Sequence, residues 1–108
     1  MYIAMNRFRV NEGHEAVFEE VWSSRERFLD QVPGFRHFQL LRGATEEGET
    51  IFISHATWAS EEDFRAWTNS EAFQKAHRDA RTPKGTLVTH PSFSGYQVVL
   101  EEPGPQQG

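Results

Sequence analysis

The chain contains 108 residues, of which 37% are hydrophobic, 13% aromatic and 25% charged, and its net charge is −5. This composition predicts a soluble globular domain with an apolar core, and the acidic balance argues against a general nucleic-acid-binding surface. The sequence has no cysteine, which excludes disulfides, thiolate ligands, iron–sulfur clusters and cysteine nucleophiles.

No apolar run approaches the roughly 18 residues that suggest a membrane span. The first ten residues, MYIAMNRFRV, lack the basic region followed by an apolar segment that is typical of a signal peptide. We therefore expect a cytoplasmic protein that has neither a membrane nor a nucleic acid as its partner.

Residues 2–10 alternate in polarity and predict a first strand. Asn6 is the only strongly polar residue on the face that it shares with Tyr2, Ala4, Phe8 and Val10. A buried amide without a partner costs about 1–3 kcal/mol. Asn6 is therefore expected to have a partner, either a neighbouring backbone group or a bound molecule.

A helix is predicted from about His14 to Gln31, because apolar residues recur there at helical spacing, and Pro33-Gly34 ends it. Arg25 lies within the apolar stripe of this helix. Its side chain is expected either to extend along the edge of the core or to pair with a carboxylate of a substrate.

Residues 35–42 and 49–58 predict two strands, which the polar turn at 43–48 joins in an antiparallel hairpin. The second of these strands is apolar on both faces, since Ile51 and Ile53 lie on one face and Phe52, Ala56 and Trp58 on the other. Helices on one side of the sheet would leave one apolar face exposed, so we expect a second copy to cover it and predict a homodimer. We interpret His37 and His55, within these strands, as structural or interface residues.

The stretch from Trp58 to Arg81 predicts two short helices that are separated at Asn69-Ser70. Ser60 and Ser70 are the expected N-caps of these helices. The first helix carries Trp67 on its apolar side.

In the second of these helices, His77 belongs to an apolar stripe with Phe73, Ala76 and Ala80. A histidine in such a stripe is either a hydrogen-bonded core residue or a ligand. No pair of histidines has the spacing of a preformed zinc site.

Residues 82–92 form a loop with prolines and a glycine that is long enough to cover a site. Residues 93–100 predict the last strand, and the polar tail 101–108 is expected to be disordered. The order strand, helix, strand, strand, helical pair, strand is typical of the ferredoxin-like βαββαβ fold, an α+β class with an antiparallel sheet. We assign residues 1–100 to this one domain.

Three groups of residues resemble one family. They are the Asn6-Arg7 pair, Pro33-Gly34-Phe35, and the run WASEEDFRAWTNSEAFQKAHR at residues 58–78. Over about residues 2–100 the chain resembles the IsdG-type haem-degrading monooxygenases of the antibiotic biosynthesis monooxygenase (ABM) superfamily, which are dimeric α+β barrels. The most specific part of the match is the order and spacing of the Asn, Trp and His.

The resemblance implies a catalytic and haem-binding role for three residues. His77 is implied as the axial ligand of the haem iron, Asn6 as the polar residue on the opposite, distal side, and Trp67 as a contact that distorts the porphyrin. A neutral imidazole is a common ligand of haem iron, and an amide can donate a hydrogen bond. The haem propionates need cations, for which the candidates by position are Arg25, Arg78, Arg81 and Lys84.

The implied activity is cleavage of the porphyrin by O2 to a bilin-type product with release of iron, in haem catabolism and iron acquisition. Haem would be both the substrate and the oxygen-activating centre. The chain has no nucleotide-binding motif, so electrons are expected from an external donor, either a reductase or a small-molecule reductant. The alternatives are a non-catalytic haem-binding or haem-transfer module, a cofactor-independent ABM oxygenase acting on a polycyclic phenolic substrate, and a dimeric protein without chemistry.

Overall fold

The computed structural model describes residues 1–25, 29–79 and 82–105, except for the side chains of residues 76–79. The elements, in chain order, are β1 (Tyr2–Asn11), α1 (Glu15–Ser23), a 3-10 turn (Leu29–Gln31), β2 (Phe35–Glu46), β3 (Glu49–Trp58), α2 (Glu61–Thr68), α3 (Glu71–Asp79) and β4 (Ser92–Gln97). Within these ranges, no helix is long and apolar enough to cross a membrane.

The four strands form one sheet in the order β2-β3-β1-β4, and every neighbouring pair is antiparallel. The central strand β1 aligns Asn6 with Ser54 on β3 and with Phe93 on β4. Because opposed residues of neighbouring strands share a face of the sheet, these three residues lie on one face. The predicted ferredoxin-like α+β arrangement with an antiparallel sheet is confirmed.

The hairpin of β2 and β3 is confirmed, but β2 continues to Glu46 and does not end at Arg42. The connection narrows to Glu47 and Gly48, whose φ angles are +52° and +80°. Two successive positive φ angles are typical of the type I′ turn, whose twist matches that of paired strands. At the other edge of the sheet, β4 ends at Gln97 and not at the predicted residue 100.

The prediction of one continuous helix from His14 to Gln31 is wrong, because α1 ends at Ser23. The hydroxyls of Ser23 and Ser24 donate to the carbonyls of Glu19 and Glu20 at 2.7 and 2.8 Å. Such local side-chain bonds compete with the helical backbone ladder and favour a helix end. The chain re-forms a short turn at Leu29–Gln31, and residues 26–28 lie outside the described part.

Both predicted N-caps of the helical pair are present. The Ser60 hydroxyl accepts a hydrogen bond from the Asp63 N–H, and the Ser70 hydroxyl accepts one from the Phe73 N–H, each at 3.1 Å. Caps of this kind stabilise a helix by about 1 kcal/mol. The break between α2 and α3 also lets Trp67 and Phe73 meet, with their ring centroids 4.6 Å apart.

The helix-facing side of the sheet carries two separate apolar clusters. Cluster A consists of Tyr2, Ala4, Leu29, Trp58 and Phe64. Cluster B consists of Phe8, Val10, Phe18 and Phe52. Along β1 and β3, the Asn6–Ser54 pair lies between the two clusters. The apolar core is therefore interrupted at the pair of polar residues.

The opposite face of the sheet carries a second set of apolar side chains, as predicted. Leu41 and Tyr96 on this face are 40% and 54% exposed. The half-buried apolar residues beside them are Ile3, Met5, Ile51 and Ile53. His55 and His37 share this face, since they oppose Met5 and Thr57 across the sheet.

In its described residues, the loop after α3 pairs with the end of β1, and Leu87 packs against cluster B. The Asn11 N–H donates to the Thr86 carbonyl at 2.9 Å, and the Val88 N–H donates to the Arg9 carbonyl at 2.8 Å. Leu87 forms an isolated bridge with Val10. Residues 86–88 of the loop therefore pair with residues 9–11 of β1, on the same side as β4 and before β4 begins. Residues 101–105 have no regular structure and are exposed, and residues 106–108 lie outside the described part.

Glu15 joins the start of α1 to β3. Its carboxylate accepts hydrogen bonds from the Gly13 N–H at 2.7 Å and from the Thr50 hydroxyl at 2.8 Å. Its own backbone N–H, then the Thr50 hydroxyl and the Gly13 N–H, hold the pKa of Glu15 below its ordinary value of 4.5.

The lowered pKa of Glu15 predicts a stability contribution that depends on pH. Because the folded-state pKa is depressed, the contribution is present above the unfolded-state value and is lost as the pH falls through the folded-state value. Glu15→Gln should lower the melting temperature at neutral pH and leave it nearly unchanged at about pH 2. Circular dichroism melts at both pH values test this, with exposed Glu12→Gln as the control; equal destabilisation at both would contradict it.

Candidate active site

A cavity of about 450 Å³ lies between the helices and the sheet. Two neighbouring cross-strand pairs, Ala4 with Ala56 and Asn6 with Ser54, form its floor. These side chains are small, so the floor is low between the bulky residues of clusters A and B. A cavity of this size is in the range that binds small molecules and cofactors.

Aromatic side chains form the walls of the cavity, and they are Trp22, Phe38, Trp58, Phe64, Trp67, Phe73 and Phe93. At the β2 edge, Trp22 and Phe38 stack with centroids 5.6 Å apart and an interplanar angle of 21°. At the β4 edge, Phe64 and Phe93 stack with centroids 5.6 Å apart and an angle of 4°. Aromatic rings favour stacked or edge-to-face contacts with other conjugated rings. The cavity is thus a slot that favours a flat, conjugated molecule.

Asn6 is half-buried, and its side chain lines this cavity. Within the described part of the chain, the amide makes no side-chain hydrogen bond. Of the two alternatives for its partner, a neighbouring backbone group is therefore not found among the described residues. The amide is available to a molecule in the cavity. An amide in this position can donate two hydrogen bonds and accept others.

Trp67 is half-buried and lines the cavity from α2. Its ring centroid lies 5.4 Å from that of Trp58, which is fully buried, and 4.6 Å from that of Phe73 on α3. Contacts on two sides restrict the rotamers of a large ring. Trp67 is consequently a rigid part of the wall on the helix side of the cavity.

His77 lies in α3, but its side chain and that of Arg78 are outside the described part of the structure, and Arg81 is outside it altogether. The described neighbour on the same helix is Phe73, which lines the cavity. Positions four residues apart in a helix share a face, so the backbone of α3 places position 77 one turn after Phe73.

Two arginines line the cavity from opposite sides. Arg25, predicted as a candidate cation, is half-buried and has its guanidinium carbon 4.5 Å from the ring centroid of Trp22. Arg65, which the sequence did not single out, donates to Glu61 from Nε at 3.3 Å and Nη2 at 3.1 Å. Gln97 donates to the other oxygen of that carboxylate at 3.2 Å.

Sequence reasoning also missed Ser54 and Phe93, both of which line the cavity. Ser54 alternates with Phe52 and Ala56 along β3, so a serine on an apolar face was the available signal. The sequence places Phe93 in the last strand, but its position beside Asn6 depends on the strand order. Lys84 and His90 line a separate depression in the loop and are absent from the described lining of this cavity.

The sequence profile of the antibiotic biosynthesis monooxygenase (ABM) family matches residues 1–79, and the chain belongs to this family. Within the family, it is 31% identical over 102 residues to a heme oxygenase (mycobilin-producing) of Mycobacterium tuberculosis. This match covers 94% of this chain and 92% of that protein. It is 36% identical over 106 residues to a heme-degrading monooxygenase of Shouchella clausii, with 92% of each chain covered.

A solved structure shows the same similarity. The heme-degrader MhuD of Mycobacterium tuberculosis, determined with two hemes bound in its active site, is 27% identical to this chain. The match has a TM-score of 0.73 and covers 95% of this chain and 100% of that one.

Proposed function

We propose that the protein is a haem-degrading monooxygenase that opens the porphyrin ring and releases iron. The observation that carries the proposal is the amide of Asn6, which lies on the floor of an aromatic cavity and has no side-chain hydrogen bond to any residue that the structure describes. A polar group left open in an apolar cavity costs free energy unless a ligand satisfies it. The relatives named for heme degradation, at 31% and 36% identity, support haem as the molecule that occupies the cavity, with the amide left to bind a small ligand beside it.

The residues of the site have distinct roles in this proposal. His77 would hold the haem iron from the helix layer through a neutral imidazole, a form that burial favours. Asn6 would donate a hydrogen bond on the opposite, sheet-facing side. Trp67, held by Trp58 and Phe73, would press on the porphyrin as a rigid wall of the cavity.

When bound, haem would supply both the oxygen-activating iron and the ring that is cleaved. The protein would contribute position, exclusion of water and hydrogen bonds. We propose O2 as the oxidant, a bilin-type product, and an external reductase or small-molecule reductant as the electron source.

The test is a titration of the purified protein with haemin, followed by ascorbate in air. We expect saturable binding with a shifted Soret band, and then loss of that band with iron release, which a ferrous-iron chelator reports. A Soret band that persists after reductant would overturn the enzymatic proposal in favour of a haem-binding or haem-transfer module. Absence of haemin binding would overturn the haem proposal altogether.

We further propose that Arg25 pairs with a haem propionate, and that Arg78 and Arg81 are candidates for the second. Arg25→Gln should weaken haemin binding about two- to fivefold, the range of a solvent-accessible ion pair. Arg65→Gln is the matched control, since Glu61 already neutralises Arg65, and it should change affinity less than about twofold. With haemin dimethyl ester, whose carboxylates are blocked, the Arg25→Gln effect should vanish; persistence there would contradict the pairing.

We also propose a homodimer formed through the open face of the sheet. Leu41 and Tyr96 leave apolar surface exposed on that face, next to Ile53 and Ile3. Contiguous exposed apolar surface of this kind marks an interaction site. Sedimentation equilibrium should give twice the chain mass, and Ile53→Glu should give the monomer. A wild-type protein that is monomeric at micromolar concentration would contradict the proposal.

A further inference from the structure

Ser54 is the second polar residue of the cavity floor. It lies on the central part of β3 as the cross-strand partner of Asn6. The residue is only 5% exposed and lines the cavity. Within the described part of the chain, its hydroxyl makes no side-chain hydrogen bond.

Thr50, on the same face of the same strand, provides a comparison. Its hydroxyl is within 2.6 Å of the Thr45 hydroxyl and donates to Glu15 at 2.8 Å. Thr50 is fully buried and does not line the cavity. The two hydroxyls on this face of β3 therefore differ. The Thr50 hydroxyl is hydrogen-bonded to other residues of the protein, whereas the Ser54 hydroxyl faces the cavity.

The position of Ser54 next to Asn6 defines what the pair can bind. Directly opposed residues of antiparallel strands have Cβ atoms about 4.5–5.5 Å apart. Two side chains at that spacing can both reach one atom placed above them. The hydroxyl can donate or accept, and the amide can donate, so the shared atom belongs to a small polar or anionic molecule.

We propose that Ser54 and Asn6 together form a two-residue hydrogen-bonding site for a small ligand on the sheet-facing side of the bound haem. The inference rests on the proposed function, and it adds Ser54 as a residue that contacts the ligand. The helix layer, which includes α3, lies on the other side of the slot. A ligand on the sheet side consequently meets the floor pair and not the residues of α3.

The experiment uses azide as the probe and the haemin-loaded full chain. Azide affinity is measured by the shift of the absorption spectrum in wild type, Ser54→Ala, Asn6→Ala and the double variant. Hydrogen bonds to charged groups contribute more than those between neutral groups, so Ser54→Ala should weaken azide binding roughly tenfold or more. If both residues reach the same ligand, the two effects should not be additive.

Two control variants distinguish loss of the Ser54 hydroxyl from a change in the structure of the protein. Ser54→Thr keeps the hydroxyl and should retain azide affinity within about twofold of wild type. Ser92→Ala removes an exposed hydroxyl on β4, opposite Arg7 on the other face of the sheet, and should leave azide affinity unchanged. The C–O stretch of the ferrous carbon monoxide complex should also shift in Ser54→Ala, which reports the hydrogen bond without turnover.

The outcomes distinguish this inference from the function on which it rests. If wild type binds haemin but Ser54→Ala binds azide as wild type does, Ser54 has no such role and the haem proposal stands. If Ser54→Ala and Ser54→Thr lose affinity equally, the floor shape and not the hydroxyl is responsible, and the inference is wrong. If wild type does not bind haemin, both proposals fall.

Discussion

Replacing His77 with alanine should weaken haemin binding by at least about 100-fold, because substitution of groups that merely orient a metal ligand already costs 10–100-fold. The sharp Soret band of a histidine-ligated haem should be replaced by the broad band of free haemin. Spectrophotometric titration of the two proteins measures the change. Added imidazole should restore part of the spectrum in His77→Ala, since it can occupy the vacated position at the iron.

The control for this variant is His90→Ala. His90 is exposed in the loop, in a depression separate from the cavity. Haemin affinity should therefore match that of wild type. Equal affinity in His77→Ala and wild type would show that another residue holds the iron, while leaving haem binding itself intact.

Replacing Asn6 with alanine should leave haemin affinity within about threefold and slow the reductant-dependent loss of the Soret band by roughly 100-fold, the effect of removing one preorganised hydrogen-bond donor. The reason is that the amide lines the cavity and has no partner among the described residues, so its hydrogen bond is available to a ligand. Single-turnover decay after ascorbate measures the rate.

Asn69→Ala is the matched control for Asn6→Ala, because Asn69 is an exposed asparagine at the end of α2. It should change neither binding nor rate. A melting temperature well below wild type in Asn6→Ala, accompanied by lost haemin affinity, would instead indicate a structural role for the amide.

Local patterns in the sequence were sufficient for most of the fold. Period-two alternation located β1, and the polar turn at 43–48 located the hairpin of β2 and β3. The Ser60 and Ser70 caps located the starts of α2 and α3, because each cap acts within three residues. The end of α1 was not predictable in the same way. Apolar spacing continues beyond Ser23, whereas hydrogen bonds of the Ser23 and Ser24 hydroxyls help end the helix.

The candidate site was only partly predictable, because it depends on contacts between distant segments. Asn6 and Trp67 were identified and both line the cavity, whereas the ligand role of His77 stays a prediction. Ser54 becomes notable only through its register with Asn6, which joins positions far apart in the chain. Arg65 is not distinguished by the sequence, because it lies four residues after Glu61 and this spacing is that of an ordinary helical ion pair.

The interruption of the core between clusters A and B has a thermodynamic consequence. Trp22 packs against cluster B and Trp67 packs against cluster A, and both line the cavity. A ligand in the slot therefore contacts both clusters at once. Binding to the folded state alone raises the free energy of unfolding by RT ln(1 + [L]/Kd). The stability of the folded chain therefore rises with the concentration of its ligand, and the ligand-free protein unfolds most readily.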